Sequence, residues 1–201
     1  MTARGSTRTA MLLSAAGLLR ERGAAGVTID AVLARSGAPR GSVYHHFPEG
    51  RSQILREALQ FAGDEITATI DAAAGDSGTA LLHQFVDMWR DALIASDYTA
   101  GCPVLAAAIG SGDDEQQLAS LASDIFARWR DASKQAYVRD GFEPAEASAL
   151  ADTAIAAMEG AVVLCRTTRS LEPLNDVAHQ LEFLIKAREF VAKFGVPATS
   201  G

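Results

Sequence analysis

Apolar residues recur at three- and four-residue steps along almost the whole chain and never alternate with polar ones long enough to make a strand. The pattern predicts about nine helices. Their breaks fall at Gly23, Gly26, Gly37, Pro48, residues 75–78, Gly101 with Pro103, residues 110–112, Gly141 with Pro144, and Pro173. Residues 197–201 read as a loose tail. The first helix, about 7–22, sets Leu12, Ala15, Ala16 and Leu19 on one face and stops at Gly23. The second opens on Thr28, a good N-cap, with Val27 and Val32 placed as a hydrophobic staple across it, and ends near Ser36-Gly37. The third follows at once. Pro39 suits its first helical position, and Pro48 ends it after Phe47.

Two short helices joined at Gly37 predict a helix-turn-helix. Val43 and Phe47, four apart, anchor the second one. Arg40, Gly41, Ser42, Tyr44, His45 and His46 are left on its outside. A slim helix that presents donors and an aromatic ring is what a major groove admits.

Charge sharpens this picture. Residues 1–60 hold eight arginines, no lysine and four acids, while the other 141 residues hold 10 bases and 21 acids, within a net charge of -7. A basic end on an acidic protein suits a polyanion at that end. The length, 201 residues, allows one large or two small domains. Two cysteines, Cys102 and Cys165, exclude a disulfide-stapled scaffold and fit reduced, buried thiols. No apolar run reaches the roughly 18 residues of a membrane span, and the polar start carries no secretory pattern. We expect a cytoplasmic protein with no membrane partner.

Residues 23–55, with the run Tyr44-His45-His46-Phe47-Pro48 and Thr28 sixteen residues before Tyr44, resemble the DNA-binding domain of TetR/AcrR-type transcriptional regulators. Two departures stand out. Pro39 occupies a place where the family usually has Ser or Thr, and the loop after Phe47 is one residue longer. That loop, with Gly101-Cys102-Pro103-Val104, resembles the LmrA/YxaF-like subgroup. The resemblance implies an all-α fold: a three-helix DNA-binding domain over 1–60 and a larger ligand-binding and dimerisation domain over 61–201. It implies phosphate contacts at Thr28, Tyr44, His45 and Arg51, and base-edge contacts at Arg40 and Ser42, with Gly41 permitting close approach. The implied partners are double-stranded operator DNA, a small-molecule inducer and a second copy of the chain. A helical small-molecule binder without operator binding is the alternative that the Pro39 departure keeps open.

Other motifs reduce to ordinary structure. Gly75-Asp76-Ser77-Gly78 copies a serine-protease tetrapeptide, but between helical segments it reads as a helix end followed by a Ser cap. His45 and His46 diverge by about 100° on a helix and cannot easily share a metal ion. Asp113-Asp114-Glu115 reads as acids favoured at a helix start. No nucleophile–base pair survives, so neither an enzyme, a cofactor nor a metal is expected.

The acidic middle carries large side chains at helical spacing, and most of them are core positions. The resemblance implies an inducer pocket among them, for which Phe85, Met88, Trp89, Tyr98, Phe126, Trp129, Tyr137 and Met158 are the candidates. The last helix, about 174–194, has two apolar faces. One holds Leu174, Val177, Ala178, Leu181, Leu184, Ile185 and Val191; the other holds Phe183, Ala187, Phe190 and Phe194. A surface helix needs only one, so something covers the second. The preceding helix, about 145–168, is rich in small residues, among them Ala157, Gly160 and Ala161. Two such helices from each of two subunits make a four-helix interface.

Overall fold

The computed structural model describes residues 3–110 and 115–195. The expected break at 111–112, the acids Asp113 and Asp114, and the tail at 197–201 lie outside them. The described residues hold nine α-helices and no strand. These are α1 (Ala3–Arg22), α2 (Ile29–Ser36), α3 (Val43–His46), α4 (Arg51–Ala74), α5 (Gly78–Ala95), α6 (Pro103–Ala108), α7 (Glu115–Arg139), α8 (Pro144–Thr168) and α9 (Glu172–Phe194). By packing, the chain divides into two compact units. One takes residues up to 67 with 99–127, and the other takes 68–98 with everything from 128 onward.

In the first unit, Met11, Ala15 and Leu19 of α1 are fully buried. So are Val27, Val32, Phe47, Leu55 and Leu59. The Arg8 guanidinium sits 5.0 Å from the Phe47 ring centroid and pairs with Glu57 of α4, which ties α1 to the helices that follow. The Gly101 amide donates to the Arg20 carbonyl at 2.9 Å and fixes the segment before α6 to the end of α1. Cys102 caps α6, its Sγ accepting from the Leu105 amide at 3.4 Å, and Pro103 takes the first turn. In the second unit, Ser77 caps α5 by accepting from the Ala80 amide at 3.1 Å, so the protease-like tetrapeptide is a helix junction.

α8 buries Ala147, Leu150, Ala151, Met158, Val162 and Cys165, and α9 buries Leu174, Leu181 and Ile185. Burial pushes the Cys165 thiol pKa up, which keeps it protonated and inert. Val191, expected on the inner face of α9, is instead exposed. The opposite face of α9 is open: Phe183, Phe190 and Phe194 are 67%, 55% and 65% exposed. On α8, Val163 and Leu164 are exposed, and no atom lies within 4 Å of where a Cβ on Gly160 would stand. Ala161 is 1% exposed, against its own chain, so it offers no area to a partner. Lys186 pairs with Glu182 one turn away, and the Lys193 Nζ lies 5.5 Å from the Phe194 ring centroid.

α8 also corrects an expectation from sequence. By length and composition it is apolar enough to cross a membrane. Its alanines make it so, and they leave it apolar on the outer side as well as the inner. A buried carboxylate, Glu159 at 6% exposure, sits in its middle.

Candidate nucleic-acid interface and ligand cavity

Thr28 caps α2 as expected: its Oγ1 accepts from the Ala31 amide at 3.1 Å, which leaves the hydroxyl hydrogen free to donate outward. α2 ends at Gly37, whose φ of 66° no β-carbon-bearing residue holds cheaply; the left-handed turn swings the chain into the next element. That element differs from expectation. It opens as a 3-10 turn over Arg40–Ser42 before the α3 helix, and Pro39 stands at the capping position in extended geometry, not inside the helix. The cause is local. Pro39 has no side-chain cap to offer, so the Ser42 amide and hydroxyl both donate to its carbonyl, at 2.9 and 2.6 Å, and tighten the first turn. The turn thus forms without the usual Ser or Thr. Ser42 spends its donor on this bond and retains acceptor capacity only.

Val43 and Phe47 are buried and lock the inner side of this element. Its outer side carries Arg40, Gly41, Tyr44 and His45, all exposed, with Tyr44 at 64%. His46 is half-buried, its ring centroid 5.0 Å from that of His45. Arg40 Nη1 lies 2.9 Å from Asp30 Oδ1 of α2, a pair that sequence reasoning missed because it spans the turn. The longer loop after Phe47 closes through Gly50, whose amide donates to the Phe47 carbonyl at 2.9 Å and whose φ is 65°. A β-carbon there would come within 3.3 Å of the Tyr44 ring, so Gly50 leaves room for the exposed tyrosine.

Arg51 does something that sequence did not suggest. Its Nε donates to the Val27 carbonyl and its Nη2 to the Ala24 carbonyl, both at 2.8 Å. The fork clamps the start of α4 to the connection between α1 and α2, so two of its N–H groups already have acceptors. Arg51→Ala should therefore cost about 2–3 kcal/mol of stability, read by urea titration. Arg51→Lys should not restore it, since a single ammonium cannot hold two carbonyls in a planar fork.

In the second unit, a cavity of about 30 Å³ opens between three helices. Leu81, Leu82 and Phe85 of α5 line it, with Ser133 and Tyr137 of α7. Ala154, Ile155 and Met158 of α8 close it. Of the expected ligand residues it gathers Phe85, Tyr137 and Met158. Trp89 and Trp129 lie behind Phe85, edge-on at centroid distances of 6.2 and 6.4 Å, and both are buried. Tyr98 lies elsewhere, with φ of 61° and the Arg169 guanidinium 5.9 Å from its ring centroid. Met88 is half-buried outside this lining, and Phe126 belongs to the first unit. Ser133 was missed. Yet it stands in the apolar stripe Leu118, Ala122, Ile125, Trp129, Ala136, and a hydroxyl in such a stripe is a readable signal. A second, larger groove of about 460 Å³ lies on α8 and α9, with Ala157 and Phe183 in its wall. Among the described residues no cluster could hold a metal ion.

Comparison with known proteins agrees with this geometry. Residues 12–58 match the model of bacterial regulatory proteins of the tetR family, and residues 79–180 match that of the transcriptional regulator LmrA/YxaF-like C-terminal domain. An uncharacterised HTH-type transcriptional regulator of Mycobacterium tuberculosis is 43% identical over 185 residues, which cover 90% of this chain and 94% of that protein. The HTH-type transcriptional regulator YxaF of Bacillus subtilis, itself uncharacterised, is 25% identical over 94% of this chain and all of its own. The crystal structure of a TetR transcriptional regulator from Chloroflexus aurantiacus superposes with a TM-score of 0.76 at 25% identity, covering 92% of this chain and 97% of that one.

Proposed function

Because the chain belongs to the TetR family of bacterial transcriptional regulators, with a C-terminal domain of the LmrA/YxaF-like kind, we propose that it is a cytoplasmic, homodimeric repressor released from operator DNA by a small molecule. Residues 1–60 read the DNA, and residues 61–201 bind the ligand and dimerise. The observation that carries this reading is the exposed set Arg40, Tyr44 and His45, held outward by a turn whose inner residues Val43 and Phe47 are buried. Exposed donors on a rigid short helix suit base edges and phosphates. Thr28 adds a hydroxyl at the start of α2, where backbone amides favour a phosphate.

In this reading the ligand acts by binding better to a conformation whose two recognition helices no longer match the half-site spacing. The outer faces of α8 and α9, which leave three phenylalanines in solvent, supply the dimer interface through Ala157, Phe183, Ala187, Phe190 and Phe194.

Gel shifts against the DNA flanking the protein's own gene test the assignment. Arg40→Ala should cost about 1–3 kcal/mol and relax preference at the bases it reads. Tyr44→Phe should weaken binding by about 0.5–1.5 kcal/mol on all sequences alike. Wild-type affinity in both variants contradicts the site.

A further inference from the structure

We propose that the α5–α7–α8 cavity selects an uncharged amphiphile, a small apolar body with one oxygen-bearing head, and that the Ser133 and Tyr137 hydroxyls hold that head. This rests on reading the second unit as the ligand-binding part. The wall is apolar except for these two groups. They are four residues apart on α7, so they share one face, one turn from each other. Ser133 is 7% and Tyr137 2% exposed, and neither hydroxyl has a hydrogen-bond partner among the described residues. In a wall that is otherwise apolar, these two hydroxyls are the side-chain groups through which a ligand can be hydrogen-bonded.

The chemistry excludes charge. No ionised side chain lines the cavity. Burial, helped by Asp140, pushes the Tyr137 pKa up to about 12, so the tyrosine meets its ligand as a neutral hydroxyl. Asp140 is engaged at the start of α5, its Oδ2 accepting from the Gly78 amide at 2.6 Å. An anionic head beside Tyr137 meets the field of that carboxylate. A cationic head feels the pull of that same carboxylate but loses its hydration against a wall that holds no carboxylate to contact it. The space of about 30 Å³ suits only a couple of waters, so the occupant is small and a wall must yield to admit it. Met158, unbranched and flexible, is the part of the wall that does so.

The test uses the 201-residue protein without DNA, and four probes of one shape: 4-ethylphenol, ethylbenzene, 4-ethylbenzoate and 4-ethylbenzylammonium, followed by calorimetry. Wild type should bind 4-ethylphenol about tenfold or more tighter than ethylbenzene and than either ion. Ser133→Ala with Tyr137→Phe should keep ethylbenzene binding and lose the preference for the phenol. That double variant should melt no lower than wild type, since it gives up no internal hydrogen bond. The proposal is overturned by equal binding of phenol and hydrocarbon, by preference for an ion, or by no binding of any probe to folded protein. A preference that survives in the double variant, or a lowered melting temperature, overturns it too. A gel shift with 4-ethylphenol separates this from the functional reading. A probe that binds as stated and leaves operator affinity unchanged removes the inducer role and keeps the ligand class.

Discussion

Phe190→Glu should turn the protein into a folded, helical monomer whose operator affinity is about 10²–10⁴-fold lower, the gain that linking two half-site readers supplies. Phe190 is 55% exposed, so its replacement removes little from the chain's own core. Its ring lies 4.9 Å from that of Phe194, and Phe183 stands further along the same open face of α9. Leu174, Leu181 and Ile185 bury the opposite face. Three large rings in solvent, beside a groove of about 460 Å³ and the small outer residues of α8, form a patch that a soluble monomer rarely keeps. A carboxylate placed at its centre is costly to bury against a second copy and costs nothing when left in water. Light scattering and operator titration check the two halves of this expectation together. A variant that stays dimeric while helical and soluble places the interface elsewhere.

Trp129→Ala should lose about 3–5 kcal/mol of stability, read by urea or thermal unfolding. The indole is fully buried and meets Phe85 edge-on at 6.4 Å. Truncation leaves a cavity that its packed neighbours only partly fill. This is a core effect that precedes any change in ligand response. Trp89→Phe offers the contrast. The Trp89 Nε1 is buried with no hydrogen-bond partner, so this change gives up no hydrogen bond and should cost under about 1 kcal/mol. A Trp129→Ala protein as stable as wild type places that side chain outside the core.

What was legible in the sequence was local. The Thr28 cap, the stop at Gly37, the Val43–Phe47 anchors and the Ser77 cap each follow from side-chain chemistry within a few residues, and each is present. The two-faced α9 was legible too, because a helix fixes which residues share a side. The misses are all long-range or cooperative. The acceptors of Arg51 are carbonyls 24 and 27 residues away, so nothing near Arg51 signals a clamp. The 3-10 start at Arg40 comes from Ser42 bonding back to Pro39, a competition that propensity does not rank. Tyr98 looked like a pocket aromatic, yet its backbone turns left-handed and its ring lies beside Arg169. Around the cavity, periodicity marked the large rings directly, whereas Ser133 shows only as the one hydroxyl in the apolar stripe of α7.

Sequence-specific DNA recognition through the α2–α3 turn underlies every functional step above. Fluorescence anisotropy tests it most directly. The 201-residue protein is titrated into labelled duplex from the region flanking its own gene, and into a scrambled duplex of equal composition, at two salt concentrations. The native sequence should be preferred by about 10³-fold or more, with affinity for both duplexes falling as salt rises. Equal affinity for the two duplexes, or no binding to either, contradicts it.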